Sequence, residues 1–164
     1  ADLLERFFPR LAEHAARSGM ELVMAPVPVD SRAPGEVAIV ADTAAVERIL
    51  FNLVDNAARY ARDAADRRVH LEVTVADRHA VLGVADHGPG IDRGQLRRLF
   101  KPFRKSAREA ARTAPGVGLG LVLSHRLARA MGGRLRLAST SPDGTRFELS
   151  LPLATPHSCV LENR

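Results

Sequence analysis

Apolar residues recur at helical spacing in some stretches of this chain and at strand spacing in others. Leu3, Leu4, Phe7, Phe8, Leu11 and Ala15 mark one face of a first helix. Pro9 kinks or restarts it, and Gly19 suits the residue just past its end. Glu21 to Ala25 predicts a short strand, Val27 to Gly35 a loop, and Val37 to Ala41 a second strand. Asp42 then reads as the N-cap of a helix running to about Ala61, with Val46, Ile49, Leu50, Leu53, Val54 and Ala57 as its apolar stripe. Val69 to Ala76 and Ala80 to Ala85 predict a hairpin turning near Asp77-Arg78. Ile91 to Phe100 predicts a short helix, and Gly118 to Met131 another that ends at Gly132-Gly133. Arg134 to Ser139 and Thr145 to Leu151 predict a last hairpin through Ser141-Pro142-Asp143-Gly144. Lys101 to Pro115 has little periodicity and much Arg, Lys, Ser and Ala, the pattern of a mobile lid.

Three polar interruptions of this pattern carry chemistry. Asn52 and Asn56 sit four apart on the helix, at the border of its apolar stripe, so their amides lie side by side between core and surface. An amide oxygen can ligate Mg²⁺, which also holds phosphate oxygens and water. An isolated pair of this kind more often caps backbone or faces solvent. Arg59 is spaced to pair with Asp55, and Tyr60 suits either helix-end packing or stacking on a purine. Asp86-His87-Gly88-Pro89-Gly90 follows a strand. Its carboxylate can accept from an exocyclic amine, and its glycines let backbone approach a flat base. Gly116-Val117-Gly118-Leu119-Gly120-Leu121 opens a helix whose N–H groups can face an anion. It is neither a dinucleotide fingerprint nor a Walker A loop, because Leu121 replaces the third glycine and no Gly-Lys-Ser/Thr follows.

Composition narrows the classes. A chain of 164 residues with 46% hydrophobic residues suits one domain, expected over residues 1–154, with 155–164 a tail. No stretch approaches the ~20 apolar residues of a membrane span. Charges interrupt the first apolar residues, unlike a signal peptide. The single cysteine, Cys159, excludes an internal disulfide and suits a reducing, cytoplasmic setting. A net charge of +5 invites a nucleic-acid reading, but the basic residues are scattered and aromatics are only 4%, so nucleic acid is not an expected partner. The six histidines show no metal-ligand spacing.

Together the motifs resemble the catalytic, ATP-binding domain of sensor histidine kinases, in the superfamily of gyrase B, Hsp90 and MutL. Asn52 to Tyr60 resembles the N box, Asp86 to Gly90 the G1 box, Phe100-Lys101-Pro102-Phe103 the F box, and Gly116 to Leu121 the G2 box. Asp143 to Phe147 resembles the closing G3 motif, so the likeness spans roughly residues 2 to 153.

The resemblance implies an α/β two-layer sandwich: a mixed, mostly antiparallel sheet with about three helices on one face. It implies ATP and Mg²⁺ as cofactors, with Asn56 on the metal and Asn52 near phosphates or metal. Arg59 would reach phosphates and Tyr60 would stack on adenine. Asp86 would bind the adenine amine, with Gly88, Gly90 and Ile91 giving the base room. Gly116, Val117, Gly118, Leu119, Gly120 and Leu121 would cradle phosphates, and Thr145 would support the pocket. Phe103 would anchor the lid, and Arg104 and Lys105 would meet phosphates.

Relatives that hydrolyse ATP place glutamate where Asn52 stands, and an amide is no general base at neutral pH. Transfer to a protein acceptor is therefore expected over hydrolysis. No His-Glu/Asp-Leu-Arg-x-Pro segment occurs, so the phosphoacceptor helices are expected on another domain of the same protein. The resemblance also implies a response regulator as partner and a dimeric parent, open to anchoring in the inner membrane, with this domain monomeric alone. A regulatory ATP-binding module and a serine-directed anti-sigma kinase are the alternatives.

Overall fold

In the computed structural model, the long apolar stripe after Asp42 is an 18-residue helix. Residues 2–25, 38–101 and 119–154 are described, so the expected loop at 27–35, most of the lid and the 155–164 tail lie outside them. Helix α1 spans Asp2–Arg17, with Pro9 inside it, and strand β1 spans Glu21–Met24. Helix α2 is Thr43–Tyr60, capped by Asp42, whose side chain accepts hydrogen bonds from the Ala44 and Ala45 amides at 2.9 and 3.2 Å. Strands β2 (Arg68–Ala76) and β3 (His79–Asp86) form the first hairpin, with Asp77 and Arg78 both at positive φ in its turn. Then follow α3 (Arg93–Leu96), α4 (Gly120–Ala130), β4 (Arg134–Ser141) and β5 (Gly144–Pro152).

The five strands form one sheet in the order β1-β2-β3-β5-β4. β1 runs parallel to β2, and the other pairs are antiparallel. Alternation along the strands sends Leu71, Leu82, Val84, Leu135, Phe147, Leu149 and Leu151 to a single buried face. There they join Leu11 of α1, Val46, Ile49, Leu50, Leu53 and Val54 of α2, and Ala128 of α4 in one core. The opposite face is charged: Arg146 bridges Glu72 and Glu148, and Glu148 also pairs with Arg136. This is the two-layer α/β architecture that the resemblance implied.

Four expected elements differ. Val37 to Ala41 forms no strand among its described residues; Ile39 makes a single bridge to Leu153. The edges of β5 are taken by β3 and β4, so this segment meets the chain only past the end of β5. The helix expected over Ile91 to Phe100 shrinks to Arg93–Leu96. Beyond it, Arg98 bonds Gln95 O, Leu99 bonds Leu96 O and Lys101 bonds Arg98 O, all tight three-residue steps that do not propagate an α-helix. The last hairpin is longer than expected, closing on Pro142-Asp143, and α4 begins at Gly120 within the described residues.

The Asp42 cap makes a clear prediction. Asp42→Ala leaves two amides of α2 without their side-chain partner and should lower unfolding free energy by about 1 kcal/mol. Urea denaturation with unchanged slope would record it; an unchanged midpoint would show the cap to be unimportant.

Candidate functional site

Burial of one side of α2 turns its other side toward a cavity of about 790 Å³ between α2, the β3–α3 loop and α4. A cavity of that size suits a small-molecule ligand. It gathers twelve of the residues singled out from sequence: Asn52, Asn56, Arg59, Tyr60, Asp86, Gly88, Gly90, Ile91, Leu119, Gly120, Leu121 and Thr145. Phe103, Arg104, Lys105, Gly116, Val117 and Gly118 lie outside the described residues.

The two asparagines are half-buried, as their place on the stripe predicts. Asn52 donates from Nδ2 to the Ser124 hydroxyl at 3.0 Å, and Ser124 is itself only 2% exposed. Its amide oxygen lies against Gly120, where any Cβ would collide with it. Glycine there lets α4 start against the Asn52 amide as it stands, and a larger residue would displace that side chain. Asn56 is different: its Nδ2 is buried and has no hydrogen-bond partner among the described residues. A buried amide left in that condition costs free energy that a ligand can recover. The two ends of a carboxamide exchange by a flip, so either oxygen or nitrogen can face the cavity. An amide oxygen is a donor suited to Mg²⁺, which typically takes few protein ligands besides phosphates and water.

Arg59 pairs with Asp55 at 2.7 Å, and the His14 Nε2 of α1 lies 3.5 Å from the other Asp55 oxygen. Arg59 is therefore already held in place by its own helix. Tyr60 is 46% exposed at the C-terminal end of α2.

Asp86 ends β3, in register with Thr145 of β5. Its Oδ1 accepts the Gly88 amide at 2.8 Å. Burial raises its pKa above the ordinary carboxylate value, while backbone hydrogen bonds from Gly88 and Thr145 and the nearby His87 work the other way. The loop after it is tied down by Ile91 N donating to Thr140 Oγ1 at 2.8 Å, with the buried Thr145 hydroxyl 3.4 Å from the same oxygen. Gly90 has φ +75° and is pressed on the Ser141 carbonyl, a position closed to larger residues. His87 turns its ring to His70 on β2, with the two Nε2 atoms 3.1 Å apart. Among the described residues no group of three or more His, Cys, Asp or Glu could hold a metal.

Several cavity residues escaped the reading of the sequence. Ser124 lies one turn into α4 from Gly120, and Arg48 lies one turn before Asn52. Extending the four-residue spacing backward from Asn52 points to Arg48. Gln95 and Arg98 also line the cavity, and no sequence signal marked them; Lys101, at the start of the expected lid and in the F-box segment, lines it too.

Residues 41–155 match the family model described as histidine kinase-, DNA gyrase B-, and HSP90-like ATPase. The signal transduction histidine-protein kinase/phosphatase MprB of Mycobacterium sp. (strain KMS) is 40% identical over 116 residues, covering 68% of this chain and 22% of that protein. The sensor protein KdpD of Mycobacterium tuberculosis (strain ATCC 25618 / H37Rv) is 34% identical, covering 85% and 15%. This chain thus spans less than a quarter of those relatives. Among solved structures, full-length ShkA in complex with AMPPNP superposes with a TM-score of 0.73 at 28% identity, over 94% of this chain and 30% of that one. The mycobacterial sensor histidine kinase MprB gives 0.69 at 28% identity, over 93% and 94%. The chain belongs to the histidine kinase-, DNA gyrase B- and HSP90-like ATPase family, as a catalytic domain of the sensor histidine kinase kind.

The raised pKa of Asp86 has a consequence for stability. Its unfolded value is 3.8 and its folded value is higher, so the folded chain binds more protons between them. Stability on this account is fully present below the unfolded pKa and is lost as pH rises through the folded one. Asp86→Asn removes that loss. Its ligand-free melting temperature, relative to the parent chain, should rise between pH 4 and pH 7. A constant difference across that range would contradict a desolvated carboxylate.

Proposed function

We propose that this histidine-kinase-type domain binds Mg²⁺·ATP in the cavity and donates the γ-phosphoryl group to a histidine on a separate helical domain of the same protein. The observation that carries this reading is the convergence of a desolvated carboxylate, an unpartnered helix amide and a glycine-opened helix on one cavity. The ShkA structure with AMPPNP supports it, since that relative is in complex with an ATP analogue.

In this reading Asp86 accepts a hydrogen bond from the adenine amine, and its burial strengthens that bond by keeping water away. Gly88, Gly90 and Ile91 border the base, Thr145 braces Asp86 from β5, and Tyr60 covers the base at the open end. Leu119, Gly120 and Leu121 bring the start of α4, with its free N–H groups, to the phosphates. Asn56 holds Mg²⁺, which neutralises phosphate charge. Arg59, oriented by Asp55, adds a cation. Phe103, Arg104, Lys105, Gly116, Val117 and Gly118 would complete the cover over the nucleotide.

An incoming imidazole then attacks the γ-phosphorus in line as the bond to the β-phosphate oxygen breaks. The domain contributes positioning and electrostatic stabilisation. The phosphoryl group would pass on to a response-regulator aspartate. The parent would be a dimer through its acceptor helices, with this domain facing the cytoplasm and open to anchoring in the inner membrane. No helix among the described residues is long and apolar enough to cross a membrane.

The direct test is calorimetric titration with Mg²⁺·ATP, followed by labelled phosphoryl transfer to an added histidine-bearing helical domain. The parent chain should bind nucleotide and label the acceptor only when it carries histidine. Asp86→Asn should weaken ATP binding by roughly tenfold or more, the scale of a lost charge-assisted hydrogen bond. Asn56→Ala should abolish Mg²⁺-dependent transfer while leaving the circular dichroism unchanged. Transfer by Asn56→Ala at low Mg²⁺ would remove the metal from this residue.

A further inference from the structure

Arg48 has no part in the motifs, yet it lines the cavity one helical turn before Asn52. Its side chain is exposed, and among the described residues it makes no ion pair or hydrogen bond. The nearby acids are engaged elsewhere: Glu47 pairs with Arg10, and Asp55 with Arg59. The other cation that α2 turns to the cavity, Arg59, is thus partly neutralised, and Arg48 is not.

The order of groups along α2 gives the cavity a direction. Gly88, beside Asp86, is set against the Tyr60 carbonyl and Ala61 at the C-terminal end of the helix. Asn56 comes next, about one turn back. Asn52 and Gly120 meet about two turns back, roughly 12 Å from Tyr60 at the α-helical rise. Arg48 lies about 6 Å further on by the same rise. A nucleotide whose base is at Asp86 and whose phosphates pass Asn56 and the start of α4 points its last phosphate at Arg48.

We infer that Arg48 contacts the terminal phosphate and sets the preference of the site for a nucleoside triphosphate over a diphosphate. The inference rests on the nucleotide reading of the cavity and adds a residue and a selectivity to it. The guanidinium presents a planar fork of donors, which suits the dianionic end of a triphosphate. A diphosphate ends nearer Asn52, beyond the reach of the same bonds. The N-terminal part of α2 then serves as the gauge of phosphate number.

Calorimetric titration of the parent chain, Arg48→Ala and Arg48→Lys with Mg²⁺·ATP and with Mg²⁺·ADP separates the possibilities. Arg48→Ala should lose roughly five- to tenfold in ATP affinity, the effect of a charged hydrogen bond discounted for exposure. Its ADP affinity should stay within about twofold, since a diphosphate never meets the removed group. Arg48→Lys should recover part of the ATP affinity through its charge but not the fork. Equal losses for both nucleotides, or none for either, would overturn the inference while leaving the nucleotide site standing. Unchanged binding of both nucleotides with slower transfer to the acceptor domain would also overturn it, moving Arg48 to docking. A parent chain that binds neither nucleotide would end the underlying reading as well.

Discussion

The rotation of α2 about its own axis is the constraint on which the site depends. Ile49, Leu50, Leu53 and Val54 are at most 1% exposed, locked between the sheet and its neighbouring helices. With that face fixed, helical geometry leaves no choice about where Arg48, Asn52, Asn56 and Arg59 point. A rotation large enough to move the amides off the cavity would pull several fully buried side chains into water, at about 1.5–3 kcal/mol each. The core is thus also the positioning device. Gly120 completes it, because glycine lets α4 rest on the Asn52 amide as it stands.

The second determinant is where charge is desolvated. Asp86 is the group whose protonation burial disturbs at the cavity, and the β3–β5 register places it there. The Gly88 and Thr145 hydrogen bonds limit the cost without removing it. A carboxylate held this way weakens the empty domain and prepares it for a hydrogen-bond donor, a common conflict between stability and function at binding sites. Along α2 the cavity also carries positive charge. Arg59 is set by Asp55, which also approaches His14. That contact links α1 to the cavity through two side chains, so the position of the first helix and that of a cavity cation are not independent.

Much of this was legible in the sequence because the strongest periodic signals coincide with the elements that carry the site. Asp42, the α2 stripe and the Asp77-Arg78 turn are local signals, and local signals survive folding. Asn52 and Asn56 stood out because polar residues at a stripe border have no core role. What was not legible depends on distant partners. Whether Val37 to Ala41 pairs depends on which edges β5 has left, and Ile39 finds only Leu153. The helix after Ile91 gives way to tight turns, and Phe100 packs on His125 with ring centroids 4.9 Å apart, a contact that chain order hides. Ser124 looks like any small helix residue until it is seen to receive the Asn52 amide. Arg48 was passed over because arginine is frequent throughout this chain and a single exposed one carries no signal.

The chemistry of position 52 ties the geometry of the cavity to its reactivity. A carboxylate there could take a proton from water; an amide cannot. The amide of Asn52 is also committed, with its nitrogen on Ser124 and its oxygen against Gly120. Among the described residues the carboxylates that line the cavity are Asp55 and Asp86. The first is paired with Arg59, and the second lies at the opposite end from Asn52. No group at the Asn52 end of the described cavity is therefore free to activate water. Under the proposed function, such a site would keep a triphosphate intact until a nucleophile arrives on another domain. The sheet, the rotation of α2 and the glycine at the head of α4 converge on that restraint: they hold polar groups close to where phosphates would lie while supplying none that removes a proton.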